Sequence, residues 1–178
     1  MKIRNRNRNI VLALVFGFVT LSSVTTFVDS TFATINTNSA DSEAIDLGDP
    51  FFVQQYQTDV EKPETTNMSS TGSFGGKGVL NGTLAISVEG NATETLRNNE
   101  TSYIQGTAKY VTDSGDVALY NFEAIGIYNP DGTFESRGAA VFSDSATGEL
   151  SSLSNTVAIY KDRVDSNGTG TFLMWHWK

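Results

Sequence analysis

Residues 102–143 read SYIQGTAKYVTDSGDVALYNFEAIGIYNPDGTFESRGAAVFS, three alternating segments separated by two short turns. The segments are residues 102–112, 117–128 and 133–143. Each alternates between two kinds of side chain, as a half-buried β-strand does. The two spacers suit a type I turn that ends in a glycine with positive φ. The sequence therefore predicts a meander of three antiparallel strands.

The length of the two loops determines which residues face each other. Thr112 is expected opposite Asp116, and Asn129 opposite Thr133, so that even-numbered residues meet even-numbered ones across both hairpins. The even face carries no charge and alternates rings with glycine and alanine, a mixture that fills the interior of a small barrel. Its rings include Tyr110, Tyr120, Phe122, Tyr128, Phe134 and Phe142. We therefore expect this face to be the inside.

The odd face mixes charged with aliphatic side chains, and we interpret it as the outside. Glu123 would lie diagonal to Arg137 across the second hairpin, close enough for an ion pair. A solvated pair of this kind contributes less than about 1 kcal/mol. We therefore interpret it as a surface ion pair.

The N-terminal residues have the features of a secretory signal. Basic residues at positions 2, 4, 6 and 8 precede an apolar run of about ten residues, and residues 31–33 place small side chains where a signal peptidase reads. The run is shorter than the roughly 20 residues that span a bilayer. We predict that residues 1–33 are the signal peptide of a secreted or cell-surface protein. The alternative is an uncleaved membrane anchor that extends through residues 20–28.

The remainder of the chain is acidic. Without residues 1–33 it holds 8 basic and 19 acidic residues, a formal net charge of −11. It has no cluster of Lys or Arg that could neutralise phosphates, so nucleic acid is not expected as a partner. The chain has no cysteines, which excludes thiolate catalysis, cysteine–zinc sites and disulfides.

Residues 34–73 are predicted to be an acidic, largely disordered linker, because Ser, Thr, Asn and Asp dominate them. The segment FFVQQY, residues 51–56, interrupts this composition and is either part of the linker or an edge strand. Residues 72–78 are glycine-rich but match neither a phosphate-binding loop nor a dinucleotide fingerprint. We interpret them as a flexible lead into the barrel domain, which is predicted to cover residues 74–178.

Further strands are predicted outside the meander. They cover residues 79–89, 156–164 and 169–178, whereas residues 91–100 are either a strand or a loop and residues 150–154 a short irregular or helical piece. In the last hairpin, a three-residue loop would pair Ile159 with Trp175, and a two-residue turn would pair Tyr160 with Trp175. We favour the first, because it separates apolar from polar side chains. The absence of a long helical period indicates an all-β domain.

Few residues are candidates for chemistry. His176 is the only histidine, lies between two tryptophans and is interpreted as structural, so no catalytic residue is assigned. The acidic turns at residues 113–116, Asp131, Asp144 and residues 162–167 lack the calcium loop of an EF-hand and are interpreted as turn formers, so no metal site is assigned. Five Asn-x-Ser/Thr sequons would accept glycans in an exported chain. They are Asn67, Asn81, Asn91, Asn99 and Asn167.

Three short stretches carry a resemblance to a known family. They are GTF at residues 132–134, TGELSSL at 147–153 and NGTGTF at 167–172. They resemble the allene oxide cyclase-like barrels, a group with dirigent-like members, and the likeness spans residues 74–178. It implies an eight-stranded antiparallel up-and-down barrel with an apolar cavity, in some members oligomeric, that acts without a cofactor. Asn155 stands where members commonly have glycine, and asparagine also adopts the left-handed conformation.

Three functions stay open at this point. The first is binding of a small apolar ligand inside the barrel, with Tyr110, Tyr120, Phe122, Tyr128, Phe134 and Phe142 as its lining. The second is a structural or surface-interaction module with a packed core. The third, implied by the resemblance alone, is a cofactor-free isomerase or cyclase. Volume separates the first two, because a ligand pocket occupies about 300 Å³ or more.

Overall fold

The computed structural model describes residues 47–58, 66 and 68–177. Its strands are β1 Phe52–Gln57, β2 Ser69–Leu80, β3 Leu84–Leu96, β4 Thr101–Thr112, β5 Val117–Tyr128, β6 Phe134–Phe142, β7 Val157–Val164 and β8 Thr169–His176. A 3₁₀ helix, Gly148–Leu153, lies between β6 and β7. Each strand pairs with its neighbours in the chain, and β1 pairs with β8 to close the ring. The predicted all-β, eight-stranded antiparallel up-and-down barrel is confirmed.

The strand register follows the predicted parity. The amide of Thr112 donates to the carbonyl of Asp116 at 3.0 Å, and that of Asn129 to the carbonyl of Thr133 at 2.9 Å. In every strand pair of the barrel, even-numbered residues lie opposite even-numbered ones. The buried residues of β5 are all even-numbered. The even face is therefore the inside of the barrel, as expected.

The last hairpin has the favoured register. Ile159 lies opposite Trp175, as a three-residue loop predicts. These two side chains lie on the outer face, and Trp177 on the same face is 53% exposed. Met174 points inward and is fully buried. The tryptophan side of this hairpin is therefore the surface of the barrel.

The barrel begins earlier in the chain than predicted. β1 and the first residues of β2, from Ser69, fall within residues 34–73, the expected linker. β1 is ordered because it directs Phe52 and Tyr56 into the interior while it pairs with β8 on one side and β2 on the other. The rest of that linker, residues 34–46, 59–65 and 67, and the predicted signal peptide, residues 1–33, lie outside the described residues.

The glycine-rich residues 72–78 are part of β2 and not a flexible lead. One of these glycines makes room for a ring on the neighbouring strand. A Cβ at Gly78 would overlap the ring of Phe52. Glycine at this position therefore allows close packing against an aromatic side chain.

The predicted strand 79–89 contains a turn. β2 ends at Leu80 and β3 begins at Leu84. Asn81 and Gly82 have φ values of 50° and 73°, the positive values that a type I′ turn requires at both central positions. The Asn-Gly pair therefore closes a hairpin inside what looked like one strand.

No helix in the described part of the chain is long and apolar enough to cross a membrane.

Candidate functional site

One end of the barrel, which we call the helix end, is covered by the 3₁₀ helix. Leu150 and Leu153 of this helix are buried in the interior. The helix is tied to the start of β5, because the carboxylate of Asp116 accepts from the amide of Glu149 at 3.1 Å. Beyond the helix, Asn155 takes the predicted left-handed conformation with φ 56°. The helix end is therefore closed by apolar side chains.

Aromatic rings fill the interior under the helix. Tyr110 is fully buried, and its ring centroid lies 4.6 Å from that of Phe52, 5.1 Å from that of Tyr120 and 5.7 Å from that of Phe142. Its hydroxyl donates to Sδ of Met174 at 3.6 Å. These contacts leave this half of the interior packed.

A cavity of about 60 Å³ lies toward the opposite end of the barrel. Its aromatic lining is Tyr56, Phe74, Tyr120, Phe122, Phe134, Tyr160 and Phe172. Its polar lining includes Gln54, Glu94, Ser136 and Asp162. At about 10–15 Å³ for each water, the space holds a few water molecules. It is well below the roughly 300 Å³ expected of a pocket for a drug-sized ligand. By volume the interior is therefore closer to the packed alternative, and only a small ligand fits.

The six rings predicted to line a cavity all face the interior. Those at the cavity are Tyr120, Phe122 and Phe134. Tyr110 and Phe142 belong to the packed helix end. Tyr128 lies at the opposite end, where its hydroxyl donates to Oε1 of Glu94 at 2.8 Å. Three of the six residues predicted to line the cavity therefore do so.

Asp162 is a buried acid, although its position in the sequence suggested a turn. β7 continues to Val164, so Asp162 lies within a strand, faces inward and is only 6% exposed. The hydroxyl of Tyr56 donates to its carboxyl group, 2.7 Å from Oδ1 and 2.8 Å from Oδ2. Tyr56 reaches it across β8 at Gly170, where a Cβ would overlap the tyrosine ring. Closure of the barrel between β1 and β8 thus creates this pair.

Glu94 on β3 is the second buried acid, 3% exposed, because residues 91–100 continue as a strand as far as Leu96. Tyr128 reaches it from β5 across β4. Ser70 lies directly opposite Glu94 on β2, and Ser102 lies opposite Leu96 on β4. Both hydroxyls are buried and make no hydrogen bond of standard geometry within the described residues, but that of Ser102 lies close enough to Glu94 to act on its carboxyl group.

Burial raises the pKa of both acids. The pKa of Asp162 rises to about 7, although the Tyr56 hydroxyl and a backbone amide oppose the rise. Burial also raises the pKa of Glu94, and the neighbouring hydroxyls of Ser102 and Tyr128 oppose that change. Burial and the adjacent carboxylate raise the pKa of Tyr56, so its hydroxyl stays protonated as a donor. A carboxyl group with a pKa near 7 can take up or release a proton at neutral pH, a property of binding and acid–base sites.

The predicted ion pair between Glu123 and Arg137 is replaced by other contacts. A guanidinium nitrogen of Arg137 lies 3.6 Å from Oε2 of Glu135, two residues away on the same strand. Glu123 instead lies diagonal to Tyr103, and its carboxylate accepts a hydrogen bond from the Tyr103 hydroxyl. Both predicted partners are exposed on the outer face, so neither reaches the cavity.

The remaining candidates from the sequence have structural roles. The ring of His176 stacks on that of Phe51, with centroids 4.1 Å apart. Asp131 accepts from the hydroxyl and amide of Thr133 at 2.7 and 3.0 Å, and these bonds lower its pKa, as expected of a turn former. Among the described residues, no three His, Cys, Asp or Glu side chains lie close enough to hold a metal ion. Four sequon asparagines are exposed, and Asn67 lies outside the described part.

The chain matches no protein-family profile, no curated protein and no solved structure. The resemblance to allene oxide cyclase-like barrels stays a prediction.

Proposed function

We propose that this protein is an exported barrel that binds a small molecule in the cavity lined by Asp162 and Glu94. One observation carries the proposal: two carboxyl groups, 6% and 3% exposed, face the same aromatic-lined cavity. Removing a carboxyl group from water costs several kcal/mol, and a packed apolar residue in its place often gives a more stable protein. Recognition of a ligand is a physical reason to keep such groups inside.

The size and lining of the cavity define the proposed ligand. The volume of about 60 Å³ admits a small molecule or one small group of a larger one. Aromatic rings offer surface to an apolar part, and the two carboxyl groups offer acceptors to a polar part. Ligand pockets commonly combine an apolar wall with a few polar groups in this way.

A leucine at Ser136 should abolish this binding. Ser136 is buried and lines the cavity, so the larger side chain would occupy the space. Native mass spectrometry of the purified, folded protein should show a small bound mass in the unchanged chain and none in Ser136→Leu. Arg137→Leu is the matched control, since it places the same side chain one residue away on the outer face. A bound mass that survives in Ser136→Leu, or none in the unchanged chain, contradicts the proposal.

A second candidate function, association with a second copy of this chain, is favoured by the outer face. Val141 on β6 lies opposite Val157 on β7 and diagonal to Leu119 on β5. These three side chains are 52%, 41% and 46% exposed. Adjacent exposed aliphatic side chains are typical of contact surfaces.

A charge at Val141 should dissociate such an assembly. We expect light scattering coupled to size exclusion to give a dimer or larger species for the unchanged chain and a monomer for Val141→Lys. Gln105→Lys, an exposed position on β4 away from this surface, should leave the mass unchanged. A monomeric unchanged chain at micromolar concentration would contradict this candidate function.

A further inference from the structure

We infer that Asn81 is a site of spontaneous deamidation, whereas the fold protects Asn167 from the same reaction. The chain contains two Asn-Gly-Thr tripeptides, at residues 81–83 and 167–169. The first joins β2 to β3 and the second joins β7 to β8. Because the residues that follow each asparagine are the same, a large difference in reactivity reports the structure of the two turns. The inference does not depend on the function proposed for the cavity.

The reaction is an attack of the backbone on the neighbouring side chain. The backbone nitrogen of Gly82 loses its proton to water and forms a bond to Cγ of Asn81. The side-chain nitrogen takes up a proton and leaves as ammonia. Water then opens the five-membered imide, and the product is aspartate or isoaspartate. No electrons are transferred, and water is the only co-reactant. Glycine favours the attack because it has no Cβ to obstruct the approach of its nitrogen.

The turn at Asn81 leaves the attacking nitrogen available. Gly82 is exposed, and its amide donates no hydrogen bond to any described residue. A Cβ added at Gly82 would meet no atom within 4 Å. The amide of Asn81 donates to the carbonyl of Phe51 at 2.7 Å, and that of Thr83 donates to the carbonyl of Leu80 at 3.1 Å. These bonds lie on either side of the Gly82 nitrogen, so water can reach it and remove its proton.

The turn at Asn167 occupies the corresponding nitrogen. Gly168 is buried, and its amide donates to the carbonyl of Asp165 at 3.0 Å. The carbonyl of Gly168 accepts from the amide of Thr58 at 2.8 Å. The carboxylate of Asp165 accepts from the amides of Asn167 and Thr169, both at 2.9 Å. This turn must open locally before the nitrogen of Gly168 can lose its proton and attack Cγ.

The product at Asn81 would alter the hairpin between β2 and β3. Aspartate adds a negative charge to an exposed turn. Isoaspartate also adds a methylene to the backbone, and a two-residue type I′ turn has no place for it. Deamidation is therefore expected to weaken this hairpin.

Peptide mapping of the folded protein tests the site. The full chain is purified from a host that adds no N-glycans, because a glycan on the side-chain nitrogen would prevent its departure. It is incubated at pH 8 and digested, and the deamidated fraction at each asparagine is followed by mass spectrometry. The initial rate at Asn81 should exceed that at Asn167 by at least about fivefold, the factor that corresponds to one backbone hydrogen bond.

Unfolded protein is the matched control, since it has the same two tripeptides without the turns. In urea the two rates should be similar. A variant tests the protection directly. Asp165→Ala removes the carboxylate that accepts from Asn167 and Thr169, so it should raise the rate at Asn167 several-fold and leave the rate at Asn81 unchanged.

Three outcomes overturn the inference. The first is a rate at Asn167 that equals or exceeds the rate at Asn81 in the folded protein. The second is the absence of deamidation at Asn81 in the folded protein. The third is a ratio of rates in urea that equals the ratio in the folded protein, because local sequence would then explain the difference. If Asp165→Ala does not fold, the comparison of folded with unfolded protein decides by itself.

Discussion

Replacing Tyr110 with alanine should lower the free energy of unfolding by about 3–5 kcal/mol, the range for removing a large buried aromatic side chain. Tyr110 is fully buried and contacts the rings of Phe52, Tyr120 and Phe142. The packed rings under the 3₁₀ helix cannot easily move into the space left behind. The decrease in the free energy of unfolding therefore includes the cost of an empty cavity. Urea denaturation followed by circular dichroism measures it.

The matched control is Tyr110→Phe, which keeps the ring and removes only the hydroxyl. That hydroxyl donates to Sδ of Met174 at 3.6 Å, a weak interaction. The phenylalanine variant should therefore lose less than about 1.5 kcal/mol. If the alanine variant loses no more than the phenylalanine variant, the helix end is not packed as described, and the interior offers more room than the cavity.

The fold was predictable because loop length sets strand parity. The turns at 112–116 and 129–133 fix an even register, and that parity continues through all eight strands. The N-terminal part was harder to predict. β1 and β2 are stabilised by contacts between strands, such as that of the Phe52 ring with Gly78, and such contacts cannot be predicted from local composition.

The two buried acids could have been placed by the same parity. Asp162 is even-numbered and lies between inward-facing Tyr160 and Val164. The turn-forming residues that follow it nevertheless led to the prediction of a turn at this position. Glu94 is even-numbered between Ala92 and Leu96 in a stretch that is otherwise polar. Their tyrosine partners were beyond prediction. Tyr56 is 106 residues from Asp162 in the chain, and only closure of the barrel brings them together.

Replacing Asp162 with asparagine should stabilise the protein at pH 8 by up to about 4 kcal/mol, the free energy of a pKa difference of about three units. Burial raises the pKa of Asp162 in the folded state from its ordinary value of 3.8 to about 7. Between these values the folded state holds the proton and the unfolded state releases it. The contribution of Asp162 to stability therefore falls as pH rises from about 4 to about 7 and is level above that. Asparagine cannot ionise, so the free energy of unfolding of the variant does not decrease in this way.

The comparison of the two proteins across pH isolates this effect, because Glu94 and the surface acids titrate in both. The difference in unfolding free energy should be small at pH 4, grow through pH 7 and then stay constant. Asp131→Asn is the control of opposite sign, since hydrogen bonds from Thr133 lower the pKa of Asp131. That variant should gain nothing at pH 8. An Asp162→Asn variant that is less stable than the unchanged protein at pH 8 would mean that the surroundings stabilise the carboxylate. A ligand would then not be needed to explain why the acid is buried.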